Sequence, residues 1–111
     1  MPVTAKTIIP AKSAENAQTP QYVASGVTTI IDKFTATNYS TGMANISVNL
    51  VNPDSTAGND NLIVKQKTLQ GGETYTFPEI VGHILPSGGS ISTLASAAAT
   101  INIRASGREI S

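Results

Sequence analysis

One histidine, His83, is the only side chain in this 111-residue chain whose ordinary pKa lies near neutrality, and cysteine is absent. A Ser-His-Asp arrangement needs a histidine held between a nucleophile and a carboxylate. His83 lies in the apolar segment Ile80-Val81-Gly82-His83-Ile84-Leu85, where a packed, hydrogen-bonded structural role is expected. Zinc requires three or four N, S or O ligands, which one histidine and no cysteine do not supply. Asp54, Asn59 and Asp60 could offer oxygens to a calcium ion. Their loop lacks the alternating ligands and terminal Glu of an EF-hand, so solvated turn residues are expected there. Gly71-Gly72 and Gly88-Gly89 precede neither a long helix nor a Gly-Lys-Ser/Thr, and read as hairpin glycines rather than a phosphate loop. Five aromatics, Tyr22, Phe34, Tyr39, Tyr75 and Phe77, are too few to line a sugar-binding cleft once some enter a core. The reading is therefore non-enzymatic, with no catalytic, cofactor or metal residue assigned.

The elements around these residues are strands. In Ala44-Asn45-Ile46-Ser47-Val48-Asn49-Leu50 apolar and polar residues alternate without a break, which places Ala44, Ile46, Val48 and Leu50 on one face. A strand wet on one side and packed on the other belongs to an antiparallel sheet. Strands are also expected at 22–24, 27–37, 62–69, 73–77, 90–95 and 99–105. In Val27 to Phe34 the alternation slips at Ile30-Ile31, as at a bulge or a strand changing sheets. Seven or eight short strands at spacings of about ten residues predict an all-β fold, one antiparallel β-sandwich of Ig-like or jelly-roll-like type. Pro78-Glu79 followed by Ile80, Val81, Ile84 and Leu85 predicts a short helical turn near 78–85 that caps the sandwich. Asn52 to Asn61 is almost pure turn chemistry, long enough for a protruding loop.

Residues 1–22 read differently. Pro10 and Pro20 bracket a run without a clean period, so this segment is expected to be an extended arm with a short strand at 3–9, and residues 23–111 the sandwich domain. The alternative is a frayed terminus, but Ile8 and Ile9 side by side argue for contact. The expected contact is strand addition to a neighbour's sheet edge, which makes Val3, Ile8 and Ile9 candidate partner contacts, with Asp54, Asn59 and Asp60 in the loop. On this reading truncation to about Gln21 leaves a folded sandwich that docks poorly.

Length bounds the rest. One domain is accommodated, burying roughly two-thirds of its unfolded surface. Seven basic and seven acidic residues cancel, so the charge needed to hold nucleic acid or a membrane surface is missing. Charged residues are 13% of the chain, about half the usual share, which suits surfaces that meet protein. No run approaches the roughly 18 apolar residues of a membrane span. Met1 to Lys6 has no signal-peptide features, so the product is expected to stay where it is made, and the sequons at Asn38 and Asn45 carry no weight.

Thr35-Ala36-Thr37-Asn38, Ser47 to Val51, Asn61-Leu62-Ile63-Val64, Gly72 to Gly82, Gly89 to Ala98 and Arg104 to Ile110 share a cadence. Over about residues 26–111 this phrasing resembles small virion proteins of tailed bacteriophages. The resemblance implies a structural part of a phage particle, made in the host bacterial cytoplasm and carried in the virion. It implies a capsid-decoration (cement) or head-to-tail protein that contacts itself as a homo-oligomer and other virion proteins such as the major capsid protein. A tail or fibre accessory with a receptor-contacting loop is the alternative, and a small carbohydrate-binding module the outside class.

Overall fold

Backbone pairing sorts the strands into two antiparallel sheets. The computed structural model describes residues 2–111. In chain order the strands are β1 (Val3–Ser13), β2 (Thr19–Val23), β3 (Thr28–Asn38), β4 (Ala44–Val51), β5 (Leu62–Leu69), β6 (Thr74–Tyr75), β7 (Ile84–Leu85), β8 (Ser90–Ala95) and β9 (Ile101–Ile110). The first sheet runs β1-β9-β3-β6, with β7 pairing the opposite end of β3. The second runs β2-β8-β4-β5. The fold is a β-sandwich, and its strands include two that are only two residues long.

The alternation of β4 is realised as expected: Ile46 and Val48 are fully buried between the sheets. They join Ile31, Phe34, Leu69 and Ile103 in one core cluster. Phe77 packs edge-on against Phe34, with ring centroids 5.1 Å apart, and against Tyr75 at 4.8 Å. Each fully buried large apolar side chain contributes on the order of 2 kcal/mol of transfer free energy. Gly107 lies on β9 where a Cβ would collide with the Ile30 carbonyl, so only glycine lets the two strands approach there. The slip at Ile30-Ile31 is a bulge: Ile31 pairs Gly107 and Lys33 pairs Ser106, leaving Asp32 as the extra residue.

Three expectations need correction. Residues 3–13 are not an arm but a strand of the chain's own sheet, paired with β9 from Val3↔Ile110 to Ser13↔Asn102. The irregular hydrophobic pattern there has a local cause. Between the pairs Lys6↔Gly107 and Ile9↔Ala105, two residues of β1, Thr7 and Ile8, oppose the single residue Ser106. That bulge turns both Ile8 and Ile9 toward the core. Second, residues 77–83 form no helix. Ile80 and Val81 amides both reach the Phe77 carbonyl, the His83 amide reaches Ile80, and the chain then pairs with β3 through β7. A single turn cannot propagate when the next residues are taken by a strand edge. The one 3-10 turn among the described residues is Asn59–Asn61. Third, the 52–61 loop is not free along its whole length: Gly58 and Asn61 bond Asn49 of β4, while residues 52, 54–56 and 58–60 are exposed.

Candidate functional site

The outer face of the second sheet carries a groove of mixed polar and apolar lining. Strand register places Ser47 beside Leu94, Asn49 beside Ser92 and Val51 beside Ser90, all on the face away from the core. Alternation alone would leave these positions wet, yet Ser47, Asn49 and Ser92 are no more than 8% exposed. Two segments fold over them. On one side, Gln18 Nε2 donates to Ser92 Oγ at 2.7 Å. On the other, Asn49 Nδ2 donates to the Gly58 carbonyl at 2.9 Å and to Asn61 Oδ1 at 2.7 Å. Asn61 Oδ1 also accepts the Gly58 amide at 3.0 Å, and Asn61 Nδ2 donates to the Thr56 carbonyl at 2.9 Å. Asn61 is thus the keystone that folds the loop back onto β4, and both polar atoms of its buried amide are hydrogen-bonded.

A bulge forms the second wall further along. Ile46 pairs Lys67 and Val48 pairs Val64, so Lys65 and Gln66 together oppose Ser47. Gln66 adopts φ +50°, and its amide donates to Ser47 Oγ at 2.9 Å. A side chain other than Gly or Asn in the left-handed region costs on the order of 1 kcal/mol. Ser47 offsets part of that cost by satisfying the displaced amide.

Three clefts of about 210, 280 and 290 Å³ lie on this face. The first shares Gln18 and Ala57 with the second, and Ser47, Gln66 and Leu94 with the third, so they are neighbouring parts of one groove that Gln18 interrupts by bonding both Asn49 and Ser92. Its polar lining is carboxamide and hydroxyl, Lys65 is its only charged residue, and no aromatic side chain reaches it. The Ser47 and Ser92 hydroxyls accept from Gln66 and Gln18, with no imidazole or carboxylate beside them. The arrangement is suited to recognition by neutral hydrogen bonds.

The residues singled out from sequence are scattered. Val3 is exposed at the start of β1, whereas Ile8 and Ile9 are buried in the chain's own core and are not partner contacts. Asp54, Asn59 and Asp60 are all exposed. Asp54 holds φ +60° in the turn closed by the Ser55 amide on the Asn52 carbonyl. Asn59 lines the groove. No group of three or more His, Cys, Asp and Glu stands together among the described residues. His83 is exposed rather than packed, and its carbonyl accepts the Ile31 amide at 3.0 Å. The groove residues Gln18, Ser47, Asn49, Gln66 and Ser92 were missed. The only sequence signal for them was the density of Asn and Ser at the outward positions of β4 and β8.

A second polar cluster joins the sheets at their other end. Tyr22 on β2 donates its hydroxyl to Glu109 Oε2 on β9 at 2.6 Å, and Thr29 on β3 donates to Tyr22 at 2.6 Å. Lys6 lies 3.4 Å from the same carboxylate. Burial, then the adjacent Glu109, pushes the Tyr22 phenol up to about 12. The Tyr22 hydroxyl, helped by Lys6, holds Glu109 below the usual carboxylate range.

Three of the four sheet edges are blunted, and the fourth holds only the two-residue strands β6 and β7. Strand β1 carries Pro10, Lys6, Lys12 and two bulges, β5 carries Lys65, Lys67 and the Gln66 bulge, and β2 carries Pro20 and a bulge. These devices discourage edge-to-edge pairing, which leaves the faces as the surfaces suited to protein contact. No protein-family model matches this chain, and neither the curated proteins nor the solved structures contain a match to it.

Proposed function

We propose that this chain is a non-enzymatic structural protein of a tailed-bacteriophage particle, a head-decoration (cement) or head-to-tail component. It stabilises the virion through contacts with copies of itself and with other virion proteins such as the major capsid protein, without a cofactor, nucleic acid or membrane. The resemblance of residues 26–111 to small phage virion proteins supports the setting. The observation that carries the mode of action is the outer face of the second sheet. It is strand-aligned, grooved and almost free of charge, which suits burial against protein rather than display to water.

Because the edges are blunted, association runs through this face and not by the strand addition expected for an N-terminal arm. The reading as a tail or fibre accessory keeps one observation in its favour, the exposed Asp54 and Asp60 in the loop beside the groove. Co-sedimentation of the purified chain with particles, together with light scattering of the chain alone, tests the proposal. Particle binding or a closed homo-oligomer is expected. A strict monomer at high concentration that ignores particles would contradict it.

A further inference from the structure

Charge is divided between the two sides of the sandwich. On β9 the residues between the buried Ile103, Ala105 and Gly107 face outward, which puts Arg104 and Ser106 on the outer face of the first sheet. Lys33 pairs with Ser106, so Lys33 and Arg104 are diagonal neighbours roughly 7–8 Å apart at Cα. Both are exposed, and neither has a carboxylate within ion-pair reach among the described residues. Asp32, at the bulge, is already held by Arg108 through hydrogen bonds of 2.9 and 3.0 Å. The acids left over lie on the opposite side. Glu15, Glu73, Glu79 and Glu109 each accept a hydrogen bond within the chain. Asp54 and Asp60 are exposed and have no ion-pair partner among the described residues. They flank the segment that lines the clefts on the outer face of the second sheet, where Lys65 is the only cation. The first face is therefore net positive and the loop side net negative.

We infer that the outer face of the first sheet is the docking surface for the 52–61 loop of a second copy of this chain, set back to front. The inference rests on the structural reading above for self-association and adds the surface that receives it. Charge disfavours the symmetric alternative. Two copies meeting through the same face would set Lys33 and Arg104 against their own kind, whereas back-to-front stacking sets them against Asp54 and Asp60. Exposed ion pairs contribute little affinity each and chiefly fix register and partner choice. Affinity comes from an apolar strip on the same face. Val3 pairs with Ile110 and Ile84 with Ile30, and Val3 and Ile84 are both more than half exposed. A back-to-front contact repeats from copy to copy until a ring closes or a filament grows.

A charge swap in the full chain tests this, with sedimentation velocity across a concentration series as the readout. The face variant is Lys33→Glu with Arg104→Glu. The loop variant is Asp54→Asn with Asp60→Lys, asparagine being chosen because it tolerates the φ of +60° at position 54. All four positions are exposed, so melting temperatures should hold. Each variant alone should associate about tenfold more weakly than the unaltered chain. An equimolar mixture should recover association, because the reversed face then meets the reversed loop. Added salt should weaken association of the unaltered chain, a response that holds even where a variant misfolds. A strict monomer, association that salt leaves unchanged, or a mixture that recovers nothing overturns the inference. If both variants associate as the unaltered chain does while particles contain it, the inference falls and the structural reading stands. If the mixture recovers association while particles lack the chain, the reverse holds.

Discussion

The hydroxyl of Tyr22 on one sheet meets the carboxylate of Glu109 on the other across 2.6 Å, a polar clasp at the rim of an otherwise apolar core. Tyr22 resists ionisation up to about pH 12 in the folded chain, chiefly through its burial and then through Glu109, whereas an unfolded tyrosine ionises near 10. The unfolded state therefore loses its proton first, and stability falls as pH rises from about 10 to 12. Glu109 is displaced in the opposite direction, so its contribution is whole above the ordinary carboxylate pKa and is lost on acidification. Tyr22→Phe should cost about 1 kcal/mol near neutrality and flatten the alkaline decline. Thermal melts of both proteins from pH 7 to 12 check this.

Ile9 is fully buried and carried by a strand that the sequence pattern disguised as an arm. Ile9→Ala should destabilise the fold by about 2–4 kcal/mol. Truncation to Gln21 should give an unfolded or aggregating chain, because it strips β1 from β9 and exposes the core beneath. Circular dichroism of the truncated chain decides the matter. A cooperative melt with a native-like spectrum would restore the arm.

That reversal shows what was legible and what was not. Residues 44–50 declared their strand, and even the facing of Ile46 and Val48, because nothing interrupts a period of two. At Ile8-Ile9 a bulge adds one residue, shifts the period, and makes a sheet strand look patternless. The turn at 77–83 has a helix-like apolar stripe, but long-range pairing of Ile84 and Leu85 with β3 overrode it. The groove was out of reach for another reason. Outward Asn and Ser read as solvated until Asn61, twelve residues from Asn49, folds a loop across them.

Asn61→Ala removes the keystone of that loop and leaves the amides of Asn49 and Gly58 short of an acceptor. The expected cost is about 1–3 kcal/mol. Limited proteolysis should begin cutting within 52–61 while the strands stay protected. Unchanged resistance in this loop would mean that other contacts hold it.

Gly107→Ala would drive a methyl into the Ile30 carbonyl and against Ile8. Overpacking of this kind should cost about 2 kcal/mol, with denaturant midpoint as the readout. His83→Ala, by contrast, should shift that midpoint little, within about 0.5 kcal/mol, since the side chain is exposed and its backbone bonds survive.

The role in the particle is tested most directly by counting. Quantitative mass spectrometry of gradient-purified particles should find this chain at a fixed, many-copy ratio to the major capsid protein, and a Leu94→Arg chain at a reduced one. A chain confined to the soluble fraction and absent from the particles would contradict the account.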